Sequence, residues 1–112
     1  MEIVFPFDMQ KFFNKCVSNK YFPKNDFEKQ AVLLMILKDF SDDVYEEAAV
    51  NVIIHKYYSD DALIRRELIN FGYMLRDPRK GRYWVVKRVL TDSDIDANTR
   101  LKRHYAAYKG KP

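Results

Sequence analysis

The stretch "NDFEKQAVLLMILKDF", residues 25–40, constrains the fold more than any other part of the chain. Its seven consecutive apolar residues, 31–37, cover every side of a helix instead of one stripe. A helix that is apolar all round is stable only when it is surrounded, so this one must be the central helix of its domain. Asn25 stands at the N-cap, and Glu28 three residues on completes the pattern of a capping box. The predicted helix covers residues 27–40 and ends at the Ser41-Asp42-Asp43 cluster. A chain of 112 residues has room for one such core plus terminal extensions. With 47% apolar residues it can fill that core without a metal or a disulfide.

The next segments supply the surround. Residues 46–57 are predicted to be helical, with Val50, Ile53, Ile54 and Tyr57 on one stripe and Glu46 and Glu47 favourably placed in the first turn. "YSDD" leaves only a four-residue turn and offers Ser59 or Asp60 as the next N-cap. The third helix is predicted over residues 61–71 and stops at Gly72, which suits the left-handed position after a helix. Its spacing puts Ile64, Leu68 and Phe71 inward, Ala62, Arg66, Ile69 and Asn70 outward, and Arg65 at the flank. "YMLR" and "GRYWVVK", joined by "DPRK", then read as an antiparallel hairpin with strands 73–76 and 82–87. On the second strand Trp84 is expected to face the core and Tyr83 to be partly exposed.

Helix, helix, short turn, helix, hairpin is the order of a winged helix-turn-helix. The expected fold is therefore α+β and mostly α, with a three-helix core and a two-stranded β-hairpin wing over residues 25–90. Residues 1–24 form an extension with a short amphipathic helix starting near Asp8, broken before Pro23. Residues 91–112 form a last helix, predicted over 95–108, or a tail ordered by a partner. Phe12, Phe13, Tyr105 and Tyr108 offer an apolar surface through which these terminal helices would join two copies into a homodimer or dock a partner.

The chemistry-bearing residues favour binding over catalysis. The lone Cys16 permits no internal disulfide, and with no signal peptide recognisable this implies a reducing, cytoplasmic setting. The longest apolar run, seven residues, is far short of the ~20 that span a membrane. His55, His104 and Cys16 lack metal-ligand spacing, and Asp42-Asp43 and Asp60-Asp61 sit where helix caps belong. There is no phosphate loop or nucleophile elbow. The expectation is a non-enzyme without cofactor or metal.

Charge points the same way. The net +4 is gathered in residues 56–88, where nine Lys/Arg face four Asp/Glu, while the rest of the chain is close to neutral. In a winged helix the third helix lies in the major groove and the basic hairpin on the backbone, so Arg65, Arg66 and Asn70 on the helix and Arg79, Lys80 and Arg82 on the hairpin are the candidate contacts with double-stranded DNA. The plainer alternative pairs Arg65 with Asp61 one turn back and leaves the hairpin tip in solvent. The fold would then serve as a protein-interaction module.

"ALIRRELINFGYMLRDPRKGRYW", residues 62–84, resembles the third helix and wing of DeoR-type winged-helix repressors. More closely, residues 21–86 resemble a bacterial domain family of unknown function, found alone or fused to transcription regulators. The matching features are "FPKNDFEKQ", then Tyr45, Glu47, Val50 and Asn51, then "LIRREL" with "FG" after it, and "YW" after Gly81. The resemblance implies a link to transcription regulation. The "DPRKG" loop is more basic than that pattern requires, and both termini lie outside it.

Overall fold

The computed structural model describes residues 1–7 and 22–109. The amphipathic helix expected near Asp8, with Met9, Phe12, Phe13, Cys16 and Val17, lies outside the described residues.

The central helix α1 (Asp26–Leu37) starts where the sequence indicates. The Asn25 side chain accepts from the backbone N–H groups of Phe27 and Glu28 at 2.9 and 3.0 Å. Val32, Leu33, Ile36 and Leu37 are buried together with Phe40 in the main core. β1 (Tyr45–Glu46) follows, then α2 (Glu47–Ile54) and α3 (Asp61–Asn70), with the Asp60 side chain capping α3 through Leu63 N–H. β2 (Met74–Asp77) and β3 (Arg82–Val85) form the hairpin. The architecture is α+β, mostly helical, in the winged-helix order.

Two details of the sheet depart from expectation. Residue 46 was expected to be helical, but Tyr45 and Glu46 form a strand that pairs antiparallel with β3, giving a three-stranded sheet in the order β1-β3-β2. On β3 it is Tyr83 that is buried, 4% exposed, while Trp84 is only half-buried. The register explains the inversion. Tyr83 lies across from Tyr45 and Arg76 on the face toward the helices, where its hydroxyl donates to Glu47 at 2.7 Å. Trp84 lies across from Leu75 on the outer face.

α3 is held from inside. Ile64 and Leu68 are fully buried, and Phe71 is half-buried at the edge of the same core. The buried carboxylate of Glu67 is paired with Lys29 of α1 at 2.9 Å, so the charge does not stand alone in the interior. Gly72 takes φ +80° directly after α3, the conformation that lets the chain leave the helix and enter β2. At the foot of β2, the buried Tyr73 hydroxyl donates to Gln30 of α1 at 2.7 Å.

The terminal segments form a second core. Instead of one helix over 95–108 there are two, α4 (Asp92–Asp96) and α5 (Thr99–Lys109). Thr91 and Asp94 make a full capping box that starts α4 earlier than expected, and Asn98 accepts from Leu101 N–H to start α5. Ile3, Phe27, Leu90, Ile95 and Leu101 are buried together, with Phe5, Phe7, Tyr105 and Tyr108 packed on them. Tyr105 and Tyr108 thus cover Phe27 of their own chain, at ring distances of 4.8 and 5.4 Å. No helix among the described residues is long and apolar enough to cross a membrane.

Candidate nucleic-acid interface

The outer surface of α3 and the inner face of the hairpin enclose an open trough of about 370 Å³. Glu47, Ala62, Arg65, Arg66, Asn70 and Arg76 are among its walls, and Tyr83 lies at its floor. On α3 the exposed positions are Ala62, Arg66 and Asn70, one turn apart on a single stripe. On β2, alternation puts Arg76 on the same face as Tyr83, with the guanidinium 5.8 Å from the ring centroid.

The candidate cations separate into held and unheld groups. Arg65 is held. It donates to the Asn51 side chain on α2 and to Asp61 one turn back, and it lies 3.7 Å from Glu47. Only 17% of its side chain is exposed. Burial works against its charge, but the Asp61 hydrogen bond and the charge of Glu47 outweigh this and hold its pKa above the usual value. In return, the hydrogen bond from Arg65 holds the Asp61 carboxyl below the usual carboxylate range; burial opposes this, and His55 at 2.7 Å assists it. Arg82 is also held, at 3.2 Å from Glu46 across the β1–β3 ladder.

Arg66, Arg76, Arg79 and Lys80 are exposed, and among the described residues no ion pair engages them. The loop carrying Arg79 and Lys80 is itself well formed. Asp77 accepts from Arg79 N–H through its side chain and from Gly81 N–H through its carbonyl, at 2.9 and 2.8 Å. Gly81 takes φ +63°, a left-handed conformation that returns the chain to β3. Asn70 stays exposed at the trough, with only a long 3.4 Å contact to Glu67. The expected site residues are therefore not one set. Arg66 and Asn70 line the trough, Arg79 and Lys80 sit at the hairpin tip, and Arg65 and Arg82 are tied into the scaffold.

Arg76 was missed by the sequence reading. The signal was present in the strand alternation, because a residue two after the buried Met74 must share its face. Tyr83, at the floor of the trough, has its phenol pKa raised by burial and by the neighbouring Glu47 carboxylate. Among the described residues no cluster of His, Cys, Asp and Glu is arranged to hold a metal ion.

A family model described as an uncharacterized protein conserved in bacteria, DUF2087, matches residues 20–85. The chain belongs to the DUF2087 family. The matched segment runs from just before α1 to the end of β3, so it contains every wall of the trough and excludes α4 and α5. The terminal elements that cover Phe27 lie outside the matched residues. Neither the curated proteins nor the solved structures compared with this DUF2087 member gave a match.

Proposed function

We propose that this DUF2087 protein binds double-stranded DNA through α3 and the wing, as the DNA-binding module of a transcription regulator in the bacterial cytoplasm. The observation that carries the reading is the set of four exposed cations without an ion pair among the described residues, Arg66 and Arg76 in the trough and Arg79 and Lys80 at the hairpin tip. Surface cations left without acidic partners keep their full attraction for phosphate, and the release of counterions from the duplex supplies the affinity. The same elements touch DNA in other winged helices. The test is titration of a labelled duplex with the wild type and with the Arg66→Ala/Arg76→Ala double variant. The reading expects saturable binding that falls with added salt and is weakened in the variant. Wild-type binding no tighter than that of the variant would overturn it.

A second reading, a protein-interaction module, is favoured by the outer face of the sheet. There Leu75 and Trp84 are cross-strand neighbours, with the exposed Val44 and Val86 close in the chain. Beside this apolar row runs a charged one, Glu46, Arg82 and Asp77, in register. A row carrying both signs can meet its own copy across a two-fold axis, so the partner this face fits is a second copy of the chain. Sedimentation of the wild type against a Leu75→Lys variant tests it: a dimer lost in the variant supports this reading, and a wild-type monomer removes it. A dimer formed in this way leaves α3 and the trough open, so the two readings are compatible.

A further inference from the structure

The charge along α3 is not uniform, and this bears on what kind of DNA the trough accepts. In the usual docking of a reading helix, its N-terminal residues reach the base edges. Here that end is acidic. Asp60 caps the helix, and Asp61 opens it. Their carboxylates are already engaged as acceptors, Asp60 by Leu63 N–H and Asp61 by Arg65 and His55. They are therefore poorly placed to take the cytosine amino group, the base-edge donor an acidic side chain would read. Ala62, the first exposed position, carries only a methyl group. The donors on the outward stripe are Arg66 in the middle of the helix and Asn70 in its last turn. Arg65, which the sequence suggested as a second reader, is turned back onto Asn51 and Asp61.

Positive charge lies on the rest of the surface: Arg66 and Asn70 of α3 share the trough lining with Arg76 of β2, and Arg79 and Lys80 stand at the hairpin tip outside it. We infer that the surface grips the phosphate backbone of duplex DNA from the wing and the C-terminal half of α3, and selects no base sequence. This rests on the duplex-binding reading above and states the partner more narrowly. Asp60 and Asp61 add no attraction for phosphate at the first turn of α3, so Arg66, Arg76 and the hairpin tip carry the contact. Two donors, Arg66 and Asn70, are few for base readout, and backbone contacts carry no sequence information of their own.

Selection of bound duplexes from a random library by the full chain, followed by titration of unrelated duplexes at fixed salt, tests the inference. The expected result is no enriched motif, with affinities for unrelated duplexes inside about tenfold of one another, well below the ~10³-fold or greater margin of specific recognition. An enriched motif bound with that margin overturns the inference and leaves duplex binding standing. Absence of any duplex binding overturns both. A second measurement guards against misfolding: Asn70→Ala removes an exposed side chain, and it should weaken all duplexes by the same factor. A loss confined to one base position would show that Asn70 reads a base, and would overturn the inference.

Discussion

Arg65 of α3 donates to the Asn51 side chain of α2, so the guanidinium locks the two helices together at the wall of the trough. The contact spans the short turn that sets the angle between α2 and α3. Arg65→Ala should therefore act on stability more than on recognition. Removing hydrogen bonds to charged partners from a mostly buried side chain is expected to cost about 1–3 kcal/mol in urea denaturation. Arg65→Lys should recover only part of this, because an ammonium cannot reproduce the planar fork. An unchanged denaturation midpoint would mean that the pair is ornamental.

The inward face of α3 gives a second prediction. Leu68 is fully buried in the main core beside Ile64. Leu68→Ala should cost about 2–5 kcal/mol, the range for truncating a buried leucine where the cavity cannot fully collapse. A loss below about 1 kcal/mol would place Leu68 at the surface and contradict the phase of the helix.

The contrast between these two residues shows what was legible in the sequence. Leu68 follows from helical spacing alone, and so do the Asn25 cap, the stop at Gly72 and the hairpin at Asp77–Gly81, because each is dictated by residues within a few positions of one another. Arg65 sits at a flank where spacing does not decide, and its partners Asn51 and Glu47 are distant in sequence. β1 was hidden for a similar reason. A two-residue strand has no periodicity, and the run of glutamates around it favours a helix until β3 offers its edge. The inversion of Tyr83 and Trp84 has the same origin. Alternation says that one of them faces inward, but only the register with Tyr45 and the nearby Glu47 says which. Local signals thus gave the helices of the core, and pairing between distant segments decided which cations are held among the described residues.

The second core makes a prediction about the chain ends. Phe27 is fully buried beneath Phe5, Phe7, Tyr105 and Tyr108. A chain limited to residues 21–90 exposes that ring, and covering a phenylalanine is worth about 1.5–3 kcal/mol. It should melt at a lower temperature than the full chain in calorimetry. Equal melting temperatures would show that residues 1–7 and 91–109 add nothing to the fold.

The tyrosines predict how stability falls in alkali. Burial pushes the Tyr58 phenol up to about 12, and burial with the Asp39 hydrogen bond pushes Tyr57 up to about 12. Tyr73 is raised as well, by burial and then by the charge of Asp94. Below the ordinary phenol value of about 10, these groups are neutral in both states and their contribution is intact. Between about 10 and 12 the unfolded chain loses their protons first, so it binds fewer protons than the folded state and stability must fall as pH rises. Phenolate absorbance should show an early group of tyrosines and a late group that ionises only as the circular dichroism is lost. A single titration near the ordinary phenol value, with the fold intact, would contradict the burial of Tyr58 and Tyr73.

The hairpin separates free cations from held ones in a way that salt can measure. Each cation that neutralises a phosphate adds about 0.9 to the slope of log K against log salt. Arg79 and Lys80 have no acidic partner among the described residues, so their joint replacement by alanine should flatten the slope by nearly 2. Arg82 differs because Glu46 already holds it at 3.2 Å. To reach a phosphate it would have to leave that carboxylate, so Arg82→Ala should change the slope far less. All three side chains are exposed, and surface changes of this kind usually stay within about 0.5 kcal/mol of wild-type stability, so the comparison is not confounded by unfolding. Equal effects of the three substitutions would mean that the Glu46 pair opens on binding. No effect of any would remove the wing from the interface and leave Arg66 and Arg76 to account for whatever duplex is bound.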